Sequence, residues 1–155
     1  MKIKIIIYLF LFLFPITILS CSSQSTYCNE RFEYCLDYPA AFEPFGSSKS
    51  NDGQIFYIDG GKIELLVWGS VNGQNRTLQE EKEYISQSRK VEYQTLNDKI
   101  KPNFFVISGF ENGKVYYLRT EKTPTGFRSF EIRYPKEEKK TYDKFVEKIS
   151  FQEKK

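Results

Sequence analysis

The sequence predicts an α+β domain, an antiparallel β-sheet of about six to seven strands with two helices packed on it. Three observations carry this. Short runs rich in Tyr, Phe, Ile and Val alternate with polar residues, as strands with a buried face require. Turn residues such as Asp59-Gly60-Gly61, Asn112-Gly113 and Pro124-Thr125-Gly126 separate those runs, which makes neighbouring strands antiparallel hairpins. Only two segments carry helix signals, and no strand–helix–strand pattern repeats, so a parallel sheet is disfavoured.

Taken in order, a strand over 32–38 stops at Pro39, which lacks the amide that a ladder needs. Residues 43–53, with Pro44, Gly46, several serines and Asn51-Asp52-Gly53, read as a mobile loop. Strands over 54–59 and 62–69 form a hairpin that Trp68 closes. Thr77-Leu78-Gln79-Glu80 is a capping box: the Thr77 hydroxyl can accept from the Glu80 amide while the glutamate reaches back. The helix it opens runs to about Arg89, with Leu78, Tyr84, Ile85 and Ser88 inside and Glu80, Glu81, Lys82, Glu83 and Arg89 facing water. Strands follow over 91–96, 103–110, 114–122 and 127–134, the last three as a meander. The second helix starts at Pro135, a favoured first-turn residue, with Glu137 and Glu138 near its positive end. Tyr142, Phe145, Val146 and Ile149 fall on one face of it, the face expected on the sheet.

The first residues carry a different signal. Lys2 and Lys4 give a positive start, residues 5–14 are almost unbroken apolar, and 15–20 relax toward a small residue, the three parts of an export signal. The apolar run is too short for a permanent span, because a bilayer core asks for about 20 apolar residues in a helix. The string Ile18-Leu19-Ser20-Cys21, followed by Ser22-Ser23-Gln24-Ser25-Thr26, resembles a bacterial lipobox. Ile18 and Ser20 match its aliphatic and small positions, and Leu19 is bulkier than the residue usual there. The resemblance implies cleavage after Ser20 and a thioether-linked diacylglycerol on Cys21, leaving an acylated N-terminus that is anchored in a membrane and faces the periplasm or cell exterior. Each buried methylene of such a lipid contributes about 0.8 kcal/mol, and stable attachment takes at least two chains or signals. The chain then divides into a signal peptide (1–20), a lipidated tether (21–26), one α+β domain (27–151) and a tail (152–155).

An extracytoplasmic address bears on the other cysteines. Cys28 and Cys35 lie seven apart, and a tight turn over 30–33 brings them together in a hairpin as a disulfide. Two buried free thiols are the alternative; the spacing is not Cys-x-x-Cys, and no helix start follows to lower a thiol pKa.

Composition narrows the function classes. The formal charge is +3, and removing Lys2 and Lys4 leaves 21 basic against 20 acidic residues. Such a balance leaves no electrostatic footprint for nucleic acid. Only the end carrying Lys136, Lys139, Lys140, Lys144, Lys148, Lys154 and Lys155 is locally basic, diluted by its glutamates. The chain has no histidine, so a Ser-His-Asp or Cys-His nucleophile cannot be assembled and the commonest metal ligand is missing. Carboxylate chemistry would draw on Asp37, Asp52, Asp59, Glu64, Glu111, Glu121 and Glu131, residues better read as the polar side of strands and loops. Asp59-Gly60-Gly61-Lys62 is a turn rather than a phosphate loop, since no helix follows it. Asn75-Arg76-Thr77 matches a glycosylation acceptor, but Thr77 is the helix cap. Trp68, Tyr116, Tyr117 and Tyr134 are the candidates for an aromatic binding patch, with core packing and cross-strand pairing as the simpler account.

Several strings suggest a family: 29–39 (Asn-Glu-Arg-Phe-Glu-Tyr-Cys-Leu-Asp-Tyr-Pro), 51–56 (Asn-Asp-Gly-Gln-Ile-Phe), 104–109 (Phe-Phe-Val-Ile-Ser-Gly) and Tyr134-Pro135 before the closing helix. They resemble a group of exported bacterial proteins similar in outline to the PsbP-like fold, named for an extrinsic photosystem subunit. The resemblance covers roughly 27–151 and implies an antiparallel sheet with helices packed on it. It supplies no catalytic residues, and a fold does not carry function across. The expected function is a membrane-anchored accessory or protein-interaction module of the cell envelope, with no catalytic residue, metal or cofactor assigned and an envelope protein as its partner. Capture of a small ligand or glycan is the alternative, and a carboxylate enzyme the second.

Overall fold

A computed structural model describes residues 23–89 and 94–153. The expected leader, the lipobox and Cys21 lie outside the described residues, as do Lys154 and Lys155. Among the described residues ten strands form two antiparallel sheets and two helices pack on them, an α+β architecture. The strands are β1 (Gln24–Asn29), β2 (Tyr34–Pro39), β3 (Glu43–Ser47), β4 (Gly53–Ile58), β5 (Ile63–Val71), β6 (Gln94–Ile100), β7 (Phe104–Glu111), β8 (Lys114–Lys122), β9 (Gly126–Pro135) and β10 (Ser150–Glu153). Helix α1 (Leu78–Ser88) lies between β5 and β6, and α2 (Lys139–Val146) between β9 and β10, entered through a 3-10 turn at Lys136–Glu138. The large sheet has the order β3-β4-β5-β9-β8-β7-β6, and the small one β1-β2-β10.

The large sheet is packed on both faces, by the small sheet and α2 on one and by α1 on the other. On β8, Val115 and Tyr117 point to the small sheet and α2, while Tyr116 and Leu118 point to α1. The first core gathers Tyr34 and Leu36 of β2, Ile63, Leu65 and Val67 of β5, and Phe130, Ile132 and Tyr134 of β9, closed by Tyr142 of α2. The second, smaller core joins Leu78 of α1 to Phe105, Ile107, Tyr116, Leu118 and Phe127. The turn signals act where the sequence places them: Asn112 (φ 51°) and Gly113 (φ 76°) turn β7 into β8, and Asp59–Gly61 turns β4 into β5.

Three strands depart from the sequence expectation. Residues 43–47 form β3 instead of a loop, pairing with β4 as the edge of the large sheet. Pro44 and Gly46 are tolerated there because a register shift between them interrupts the ladder and the outer side needs no partner amide. Gln24, Ser25 and Thr26, expected in the tether, belong to β1, so the chain enters the fold at Ser23, whose carbonyl accepts from the Ala40 amide at 3.0 Å. The C-terminal end adds β10 beside β2. The strand expected over 91–96 starts outside the described residues, and β6 runs Gln94–Ile100.

Cys28 and Cys35 are directly opposite in the β1–β2 ladder, Cα atoms 4.1 Å apart, and form a disulfide. Closing so short a loop contributes about 2 kcal/mol in the chain-entropy account. Replacing both by serine is expected to lower unfolding stability by that amount, read as a lower urea midpoint; an unmoved midpoint would show that the bond adds nothing to the ladder. The turn following Cys28 is held by the buried Asn29, which accepts from the Phe32 amide at 3.0 Å, and Phe32 lies flat over Gly69, where a Cβ would stand 2.2 Å from its ring.

Tyr34 is fully buried, and its hydroxyl has no hydrogen-bond partner among the described residues. Burial, then the neighbouring Tyr27 and Asp52, push that hydroxyl well above the ordinary tyrosine range. Tyr34→Phe removes a desolvated group without opening a cavity and is expected to raise stability by about 1 kcal/mol. The raised group stays protonated in the fold where the unfolded chain ionises, so its contribution is whole below the ordinary pKa of about 10 and falls as pH rises above it. Tyr34→Phe should therefore lose stability less steeply than the native chain above that pH. Denaturation curves at neutral and alkaline pH test both; a destabilised variant contradicts the assignment.

Candidate functional site

A cleft of about 910 Å³ opens between α1 and the face of the large sheet that carries Leu66, Trp68 and Leu118. Its upper wall is built by the loop before the helix. Asn75 takes a left-handed conformation (φ 52°), and the Asn72 side chain clamps the Arg76 backbone, accepting from its amide and donating to its carbonyl, each at 2.8 Å. Thr77 then caps α1 through the full capping box, its hydroxyl accepting from the Glu80 amide while Glu80 accepts from the Thr77 amide at 2.7 Å. Those contacts hold Glu80 below the usual carboxylate range.

Arg76, so fixed, turns over the Tyr84 ring with 4.0 Å between guanidinium carbon and centroid, and its Nε lies 3.1 Å from Glu81 Oε2. Burial pushes the Glu81 carboxyl up, against the pull of Arg76. Farther along the cleft, Arg89 at the end of α1 pairs with Glu131 on β9, and Arg133 Nε donates to the other oxygen of Glu131 at 2.5 Å. Arg133 also stands 3.9 Å from Glu111. Burial works against its charge, but Glu131, Glu111 and Glu64 around it raise its hold on the proton.

The cleft thus carries three arginines and three glutamates over an aromatic and aliphatic floor. Two acids converge in it, Glu111 and Glu131, but Arg133 stands between them and both Glu131 oxygens accept from guanidinium groups. Both lone-pair-bearing oxygens of Glu131 are thereby used as acceptors within the cleft wall. Among the described residues no group of three or more His, Cys, Asp or Glu is placed to hold a metal ion.

The four aromatic candidates do not form one patch. Trp68 lines the cleft and Tyr116 is fully buried beneath it, 4.9 Å from the Arg89 guanidinium carbon. Tyr117 and Tyr134 face the opposite side of the sheet, in a second cavity of about 550 Å³ beside α2. There the Tyr134 hydroxyl donates to Asp143 at 2.6 Å, and burial with that contact pushes it far above its ordinary range. Alternation along β8 made the separation of Tyr116 from Tyr117 inevitable.

Three charged side chains expected in water are not there. Glu131 is 3% exposed, and Glu81 7%; Arg89, expected on the wet face of the helix, has a side chain 12% exposed. Tyr84, expected inside, is 55% exposed. The helix is rolled so that Arg76 and Glu81 meet, and the polar side of β9 is covered by α1 instead of water. The remaining acids are tied laterally: Asp37 to Thr26, Asp52 to Ser48, Glu64 to Lys114, and Glu121 to Arg119 and Arg128. Asp59 is exposed in its turn.

No protein-family model matches the sequence, and no curated protein does. Among solved structures the chain is similar to cyanobacterial PsbP (CyanoP) from Synechocystis sp., at 12% identity and a TM-score of 0.62, covering 91% of this chain and 98% of that one. The fold is therefore PsbP-like. Among the described residues, no helix is long and apolar enough to cross a membrane.

Proposed function

We propose that this chain is a lipid-anchored accessory module of the cell envelope, which binds a protein partner and catalyses no reaction. The observation that carries the reading is the junction between tether and fold. Ser23, two residues after the lipobox cysteine, is already hydrogen-bonded to Ala40, and the strand that follows is stapled by Cys28–Cys35. A lipid on Cys21 would therefore hold a rigid body close to the bilayer rather than a loosely leashed one. The PsbP-like fold supports an accessory role by analogy only.

The cleft under α1 is the surface offered to the partner, because it joins an exposed aromatic ring, Tyr84, to arginines that suit an interface. A photo-crosslinker at Tyr84 in living cells is expected to capture one defined protein, while the same group at Lys49, on an exposed turn outside the cleft lining, captures none. Equal, diffuse capture from both positions contradicts the reading. A second reading, capture of a small ligand or glycan, is favoured by Trp68 on the floor of a cleft of about 910 Å³. A small molecule co-purifying with the native chain, and lost on Trp68→Ala, would select it.

A further inference from the structure

The anchor reading has a geometric consequence for the surface around Ser23. The start of β1 and the end of β2 lie at one end of the small sheet, since Gln24 pairs with Pro39. β10 begins at the same end, Ser150 opposite Asp37, and the Gln24 side chain donates to the Lys148 carbonyl at 3.2 Å. Helix α2 leads directly into that point. Two residues reach about 7 Å at most, so a lipid on Cys21 would enter the bilayer next to the C-terminal end of α2.

The outward side of α2 is basic at helical spacing. Lys140 and Lys144 stand one turn apart on α2, about 6 Å along its axis, and Lys148 follows in the turn after Val146; the first two are exposed and the third half-buried. Lys136 precedes them, over the Phe110 ring at 4.3 Å. The neighbouring charges are accounted for: Lys139 is paired with Asp143 and Lys62 with Glu138, while Glu137 and Glu147 are exposed on the same side and leave an excess of two positive charges. The inward side, Tyr142, Phe145 and Val146, is packed on the first core, so the lysines cannot turn inward.

We propose that this face of α2 rests on the membrane, with Lys140, Lys144 and Lys148 taking the phosphate oxygens of anionic phospholipids in the leaflet that holds the anchor. The inference rests on the lipid-anchor reading. A weak attraction suffices, because the tether holds the face within reach of the headgroups and makes the second contact intramolecular; the field acts over about a Debye length, some 8 Å at physiological salt. The turn 30–33 and Ser50, joined through Arg31, lie at the opposite end of the small sheet.

The test is lysine acetylation of the acylated protein in vesicles of phosphatidylcholine alone and of phosphatidylcholine with phosphatidylglycerol, read residue by residue by mass spectrometry. Lys49 and Lys122, exposed at the far end, are internal references. Lys140, Lys144 and Lys148 are expected to react about fivefold more slowly in the anionic vesicles alone, as one lysine's attraction to an anionic surface implies, and to recover in high salt. Equal reactivity of all five lysines in both vesicles overturns the proposal, as does protection that includes Lys49 and Lys122. A chain that floats with neither vesicle contradicts the anchor instead; a chain beginning at Cys21 and coupled through that thiol to a maleimide lipid in the same two vesicles then gives the lysine readout for the α2 face.

Discussion

Phe130→Ala is expected to lower unfolding stability by about 3–5 kcal/mol, the range for an aromatic truncated in a core that cannot close over the space. Phe130 is 1% exposed on β9, flanked in the ladder by Val67 and Arg119. Its ring stacks on Tyr117, centroids 6.1 Å apart, and meets Phe151 of the small sheet at 5.7 Å. It is thus one of the side chains that join the two sheets. The ladders on both sides hold β9 in place, so neighbours cannot move in to fill the cavity, and dispersion contacts are lost outright. Phe45→Ala is the matched control: Phe45 is 69% exposed and lies against the Tyr57 ring, centroids 4.4 Å apart, so its loss should stay within about 0.5 kcal/mol. Urea denaturation distinguishes them, and equal midpoints for the two variants would contradict the placement of the core.

The second large effect is expected in the cleft. Arg89→Met takes one guanidinium from Glu131, which is almost wholly buried, and should cost about 3 kcal/mol, because a buried charge stripped of a partner keeps its desolvation penalty. Adding Glu131→Leu should return most of that loss, since an apolar pair of similar volume has no charge to desolvate. Arg133 stays compensated in the double variant through Glu111, 3.9 Å away. The double variant is therefore expected to be more stable than Arg89→Met alone. If the two losses simply add, Arg89 and Glu131 do not act as a pair.

What the sequence made legible is local. The capping box at Thr77 and Glu80, the hairpin turns and the inner face of α2 each depend on residues a few positions apart, and each is found where the spacing places it. β1 and β3 escaped because their composition is that of loops. Their pairing is decided by the neighbouring strand, and at an edge even Pro44 fits, since the unpaired side asks for no amide. The charged cleft escaped for a related reason. On a helical wheel Glu81 shares the face of Leu78 and Ile85, but its charge argues for water; it is buried because Arg76, held by Asn72, arrives from the preceding loop. Likewise an acid on an alternating strand reads as solvent-facing until α1 is known to cover that side of β9. Trp68 could be named from the sequence as a possible binding residue, whereas Arg76, Tyr84 and Arg89 became site residues only through tertiary contact.

The account as a whole turns on Cys21. Growing cells on a tagged fatty acid, then comparing the native chain with Cys21→Ala, tests it at that residue. The anchor reading predicts label on the native chain, none on the variant, and a native N-terminus that begins at an acylated cysteine. Equal labelling of the two chains, or a native chain that carries no label, would contradict it.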